Sequence, residues 1–385
     1  MMENLQDEVM SKGPRGNRVT AAALLAVGAV AGIWAGTSYR SMLEPEPIYP
    51  SPGLTAQVLL SDYFPALEGT PGDTEVFVFQ GEEPGANVLI IGGVHANEPA
   101  GFLAAVVLVE NLRARAGKVV VIPRANASAF TCNDPQEGNP QSFFIETPGG
   151  ERAFRLGSRL TNPVHQWPDP TLFDTPAGQI VSGPEARNLN RAFPGRAEGY
   201  LTERIAFGIM ELIRKEEIDI GIDLHESSPE YPVINAIVFH EKSAEIAALA
   251  QMDLQFEGLD LRLEASPMNL RGLSHREWGD AEDIHALLLE TPNPVQGRLK
   301  GRTSADLVVD GKDKYYLKAE ALGRLFIPYT EEGIHISTRV ARQLAGIQAI
   351  LNSLEEMEPG MAVHLEGFPP WMEVQERGVG AFLRN

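Results

Sequence analysis

The chain has 385 residues, 43% hydrophobic and 22% charged, with a formal net charge of -20. That is enough chain and apolar content for one large α/β domain with a sizeable core. Binding a phosphate backbone needs a Lys/Arg cluster, which is absent, so no nucleic-acid partner is expected. A single cysteine, Cys132, rules out an intramolecular disulfide and a cysteine-rich zinc site.

The N-terminus comes first in chain order. No charged residue separates Arg18 from Arg40 in "VTAAALLAVGAVAGIWAGTSY". As a helix rising roughly 1.5 Å per residue, this stretch reaches about 30 Å, the thickness of a bilayer's apolar core. Lys12, Arg15 and Arg18 precede it, which keeps residues 1–18 cytoplasmic and sends the rest across. Residues 19–39 read as a transmembrane anchor; "AVA" at 29–31 also fits a signal-peptide cleavage site, which would make the protein secreted. Residues 40–54, rich in proline, read as an extended linker, and 55–385 as one folded domain.

From there strand and helix alternate. "EVFVFQ" (75–80) is a strand, and "NVLIIGG" (87–93) is a continuous apolar run of the kind buried on both faces of a parallel sheet. Residues 98–117 follow as a helix, with Pro99 in its first turn and Gly117 at its end. "KVVVIP" (118–123) is the next strand. This βαβ order predicts an α/β fold with a mostly parallel or mixed central sheet and helices on both faces. Residues 131–186 break the rhythm with Pro, Gly, Asn and Asp, as a long functional loop region does; Phe143, Phe144, Trp167 and Phe173 speak against disorder. A helix (201–217), a strand (218–224) and a third apolar run (285–290) follow. Ile336, Val340, Leu344, Ile347, Leu351 and Leu354 then mark one face of a closing amphipathic helix.

Three apolar runs each end in a side chain able to bind metal or move protons. "VLIIGGVH" ends at His95, with Glu98 one turn on; "IDIGIDLH" ends at His225; "IHALLLE" ends at Glu290. Ligands of open parallel sheets bind at the carboxyl ends of the strands, so neighbouring strands would bring all four groups together. Two imidazoles and one carboxylate suit one catalytic Zn²⁺ and leave a position open for water. Glu290 is then the candidate proton carrier. Any one of these motifs arises often by chance or in an ordinary core; together, in this order, they point to a metal site. "RNLNRAFPG" (187–195) adds Asn190 and Arg191, an amide and a planar guanidinium suited to clamping a carboxylate.

"HANE", "NLNRAFPG", "DLHES" and "LLLETP", in this order, resemble the zinc carboxypeptidase superfamily in its broad sense, which includes the succinylglutamate desuccinylase/aspartoacylase family. The resemblance covers roughly 85–355. It implies His95, Glu98 and His225 as ligands of one zinc ion, Asn190 and Arg191 as binders of the substrate carboxylate, and Glu290 as the catalytic carboxylate. It also implies an oxyanion-stabilising arginine, for which Arg159 and Arg187 are the candidates. The "NLNRAFPG" wording is similar to the desuccinylase branch, the closing helix to true carboxypeptidases. The expectation is an extracytoplasmic, membrane-tethered zinc amidohydrolase acting on a short peptide or an N-acyl amino acid. The rival is an inactive or weakly active relative that binds such molecules with its metal. The oligomeric state is open.

Overall fold

The computed structural model describes residues 15–41, 44–133 and 139–384. The chain divides into two units, Met1–Pro45 and Glu46–Asn385. Most of the expected cytoplasmic segment, residues 1–14, lies outside the described residues, as do 134–138 of the long loop region. The first unit contributes helix α1 (Arg15–Ser41), whose Arg18–Arg40 stretch is long and apolar enough to cross a membrane or to serve as a signal sequence.

The second unit is a mixed α/β domain. Its strands are β1 (Ala56–Leu59), β2 (Glu75–Gln80), β3 (Glu83–Gly92), β4 (Arg113–Ile122), β5 (Ser142–Thr147), β6 (Gly150–Arg155), β7 (Leu172–Asp174), β8 (Ile180–Ser182), β9 (Ile220–Ser227), β10 (Ala236–Phe239), β11 (Arg262–Ala265), β12 (His285–Pro292) and β13 (His364–Glu366). Its helices are α2 (Pro99–Asn111), α3 (Leu201–Lys215), α4 (Ala244–Phe256), α5 (Ser274–Ala281), α6 (Ala305–Asp310), α7 (Lys314–Ala321), α8 (Ile336–Met357) and α9 (Trp371–Arg377). The central sheet runs β1-β2-β4-β3-β9-β12-β10-β11, with β13 added to β4. Strands β4, β3, β9 and β12 are mutually parallel and form its middle. The three strands that end in the chemistry-bearing residues, β3, β9 and β12, are therefore adjacent and point the same way.

Alternation along these strands explains the continuous apolar runs. Val88 and Ile90 of β3 enter one core with α2 and α8, while Leu89 and Ile91 enter a second core with α3. All six residues that mark the closing helix, from Ile336 to Leu354, are buried in the first core. Each such side chain stabilises the fold by roughly 1.5–3 kcal/mol.

Three sequence expectations need correcting. The helix expected over 98–117 stops at Asn111, where Leu112 turns extended, and Arg113–Gly117 instead open β4. Pairing of Ala114 and Ala116 with Leu365 and His364 of β13 supplies partners that local sequence does not reveal. Gly117 (φ +76) marks an irregularity inside β4 rather than a helix end. The proline-rich stretch, expected as a linker to residue 54, is bonded into the second unit from Glu46 onward: Glu46 pairs with Arg124, and Tyr49 N–H donates to Glu110. Residues 131–186 hold two short hairpins, β5/β6 and β7/β8. Phe143 and Phe173 are buried there, whereas Trp167 is exposed.

Candidate metal centre

Strand β3 ends in Gly92, and the turn that follows carries His95 and brings Glu98 to the N-terminus of α2. Gly101 lets α2 lie against β9: a Cβ there would meet Leu224 O at 2.4 Å. That contact holds Glu98 next to His225, the sixth residue of β9. His95, Glu98 and His225 each offer a donor atom, all within 4.8 Å of one another, and each residue is at most 2% exposed. His95 Nδ1 lies 2.8 Å from Glu98 Oε1, and His225 Nδ1 lies 2.8 Å from Glu98 Oε2.

The outer nitrogens decide what these contacts mean. His95 Nε2 lies 2.9 Å from Asn188 Oδ1, and the Nδ2 of that same amide donates to Glu185, so Oδ1 is the atom facing the ring. His225 Nε2 lies 2.8 Å from Asp223 Oδ2. Both Nε2 atoms therefore carry hydrogen, and in the neutral rings both Nδ1 atoms present lone pairs to a carboxylate. Acceptors turned on acceptors in a buried site call for a cation among them. Outer partners that fix the tautomer of each imidazole are the usual companions of metal-ligating histidines. The residues thus fit a divalent ion.

A proton on His225 is the other cation that these groups favour. Burial, then the Arg159 charge, lowers the His95 pKa to about 4, against the pull of Glu98. Burial also opposes a charge on His225, but Asp223 and Glu98 outweigh it and hold its pKa well above the usual value. Burial likewise disfavours ionised Glu98, yet the two histidines keep it well below the usual carboxylate range. Glu98 is held further by Glu226 N–H (3.1 Å) and Gln296 Nε2 (3.0 Å).

A cavity of about 530 Å³ opens beside the cluster. Glu290 lines it one strand over from His225, which it faces in the β9/β12 register. Its Oε2 is shielded from solvent and has no hydrogen-bond partner among the described residues. Burial pushes this carboxyl up to about 8, with the charges of His225 and Arg159 pulling down and those of Glu98 and Asp223 adding to the rise. Asn190 and Arg191 also line the cavity. Asn190 Oδ1 accepts Ser274 N–H, and among the described residues Arg191 has only Glu185, at 3.9 Å, as an ionic partner. Burial and then repulsion from Arg159 lower the Arg191 pKa, so two guanidinium groups share one wall with little compensating charge. Such a wall attracts an anion.

Of the two arginines expected near the reacting carbonyl, only Arg159 reaches the cavity; its Nη1 is 3.3 Å from His95 Nδ1 and 3.4 Å from Glu98 Oε1. Arg187 does not line it. Its guanidinium forms a forked pair with Asp169 (2.7 and 3.0 Å) and donates to Thr161 O, which uses its donors elsewhere. Sequence reading missed Asn188, Asp223, Gln296 and His275. Asp223 carried a signal: two residues before His225 on a strand, it must share its face. His275 sits at no strand end, yet it lines the same cavity.

No protein-family model and no curated protein matches the sequence. Among solved structures, an aspartoacylase family protein from Mesorhizobium loti is similar at 21% identity over 57% of this chain and 56% of that one, TM-score 0.36. A succinylglutamate desuccinylase/aspartoacylase from Rhodobacter sphaeroides is similar at 17% identity over 74% and 59%, TM-score 0.38. A metallo-carboxypeptidase from Burkholderia cenocepacia is similar at 12% identity over 84% and 69%, TM-score 0.44. The first two are matched over less than two thirds of their own length. Overlaps of this extent leave the chemistry to be read from the site itself.

Proposed function

We propose that this protein is a zinc-dependent amidohydrolase that cleaves an amide bond next to a free carboxylate, in a short peptide or an N-acyl amino acid. The observation that carries this reading is the pair of Nδ1 atoms turned on the two oxygens of Glu98, each ring held from behind by Asn188 or Asp223. A nitrogen-rich, three-donor set with room for a further ligand suits zinc better than magnesium or calcium. When bound, such an ion polarises a carbonyl and acidifies a water.

The chain's own groups supply the rest. Glu290, kept near neutral pKa by burial, takes the proton of the attacking water and delivers it to the leaving nitrogen. Arg159, at the mouth of the cluster, is placed to stabilise the developing oxyanion. Asn190 and Arg191 hold the substrate carboxylate and so set which amide meets the water. The net reaction adds water across the bond, leaving a carboxylic acid and an amine.

Lys12, Arg15 and Arg18 ahead of an apolar stretch favour placing the unit Glu46–Asn385 outside the cytoplasm, held by α1. The test is metal analysis of the purified chain with release of free amino acids from a panel of peptides and N-acyl amino acids. One equivalent of zinc and metal-dependent release are expected. Binding of such molecules without turnover would leave a carrier, not an enzyme.

A further inference from the structure

The cavity extends beyond the catalytic groups, and its far part has its own chemistry. In the sheet register, His225 and Glu290 form one row with Ala236, and the next row inward is Asp223, Leu288, Val238 and Glu264. Paired residues share a face, so Leu288, Val238 and Glu264 extend the surface that carries Glu290. All three line the cavity, as do Leu270 and Leu273. Helix α5 covers this face. Its first residue, Ser274, donates its hydroxyl to Asp223 and its N–H to Asn190 Oδ1, and Trp278 packs on Gly221. The next residue, His275, is thereby fixed on the cavity wall.

His275 is 3% exposed, and neither ring nitrogen, each shut off from solvent, has a hydrogen-bond partner among the described residues. Two buried polar atoms left unsatisfied are a standing cost unless a ligand meets them. Burial, then the charges of His225, Arg276, His240 and Arg191, lowers the ring's pKa to about 3, so it is neutral and offers one donor and one acceptor. Glu264 offers only acceptors and opposes an anion. A carboxamide meets both once the ring turns to present a nitrogen: its oxygen then accepts from the imidazole, and its amino group donates.

We propose that the pocket lined by His275, Leu288, Val238 and Glu264 selects substrates whose carboxylate-bearing residue has an uncharged carboxamide side chain. This deepens the hydrolase reading and rests on it for placing the substrate carboxylate at Asn190 and Arg191. His275 is a specificity-determining residue here and takes no part in the bond cleavage.

The test is calorimetric titration of the zinc-loaded full chain, in a mild detergent, with the N-acetyl derivatives of asparagine, glutamine, leucine, aspartate and lysine. Leucine is close to isosteric with asparagine, so the pair isolates the polar group. The better of the two amides is expected to bind at least about tenfold tighter than the leucine derivative, and His275→Leu is expected to abolish or reverse that preference. Equal binding of leucine and amide, tightest binding of aspartate or lysine, no binding of any, or a uniform loss in His275→Leu would each overturn the proposal. The melting temperature of His275→Leu should hold or rise, since an unsatisfied group is removed; a clear fall would reveal an internal partner for the ring and count against it. Turnover is scored separately. Selective binding without hydrolysis defeats the enzyme reading alone, whereas hydrolysis without amide preference defeats this one alone.

Discussion

At the scale of single residues, the chemistry depends on which groups bear protons. On the proposed reading, Glu290 is the group whose replacement separates catalysis from binding. Glu290→Gln keeps shape and removes the proton carrier, so amino-acid release should fall by about 10²–10⁴-fold while bound zinc stays at the wild-type level. Unchanged turnover would remove Glu290 from the reaction. His275 gives a pH signature. Its folded-state pKa is lowered to about 3, below the ordinary imidazole value, by burial and the nearby cations His225, Arg276, His240 and Arg191. The unfolded chain therefore takes up this proton first as pH falls. The contribution is fully present above the ordinary value and is lost progressively as pH falls from there towards the lowered one. The difference in unfolding free energy between wild type and His275→Leu should be flat above about pH 7 and shift in favour of the variant below about pH 6.5. Urea unfolding across that range measures it; a pH-independent difference would show that the ring charges as easily folded as unfolded.

At the scale of elements, two packing contacts hold the donors in register. Helix α2 carries Glu98 at its start and touches β9 through Gly101. Gly101→Ala puts a methyl group where only backbone fits, so α2 must shift away from His225. Loss of about 1–3 kcal/mol of stability is expected, with zinc affinity at least about tenfold weaker. Competition with a chromogenic chelator reads the affinity; wild-type affinity would mean that Glu98 moves independently of α2. The second contact ties α8 to β9. Arg339 and Glu226 are fully buried, with Nε–Oε1 at 2.7 Å, and Glu226 Oε2 also accepts Ala100 N–H at the start of α2. Arg339→Met strands a buried carboxylate and should cost about 3–5 kcal/mol in urea unfolding, and adding Glu226→Gln should recover part of that loss. Simple additivity of the two losses would contradict the coupling.

At the scale of the whole molecule, a metal held by this cluster would link its binding to folding, because the donors sit in the turn after β3, just ahead of α2 and on β9, and meet only in the native chain. Zinc at a hundredfold excess over its dissociation constant should add about 2.7 kcal/mol to stability. For a folded unit of this size that corresponds to a melting temperature roughly 4 °C higher. Chelation should reverse the shift, and zinc but not magnesium should restore it, since the donors are mostly nitrogen. No shift in thermal scans would deny the site an ion. The alternation of strand and helix, the apolar helix near the N-terminus and the residues of the buried His-Glu-His cluster were all legible beforehand, because each is written in local pattern: continuous apolar runs, an uncharged stretch between arginines, and imidazole or carboxylate at a strand's end. Burial along β3 and α8 follows residue periodicity that needs no knowledge of neighbours. What local pattern could not reveal was partnership. Arg187 and Arg159 look alike in sequence, and only Asp169 folding back onto Arg187 separates them. Residues 113–117 resemble a helix end until β13 arrives from the far end of the chain to pair with them. His275 lies in no motif, and it reaches the cavity because α5 is fastened across Asp223 and Asn190. Periodicity and donor type act within a few residues and so were fixed by the chain itself; hydrogen-bond partners and cavity walls come from segments distant in sequence, and only the packed structure assigns them.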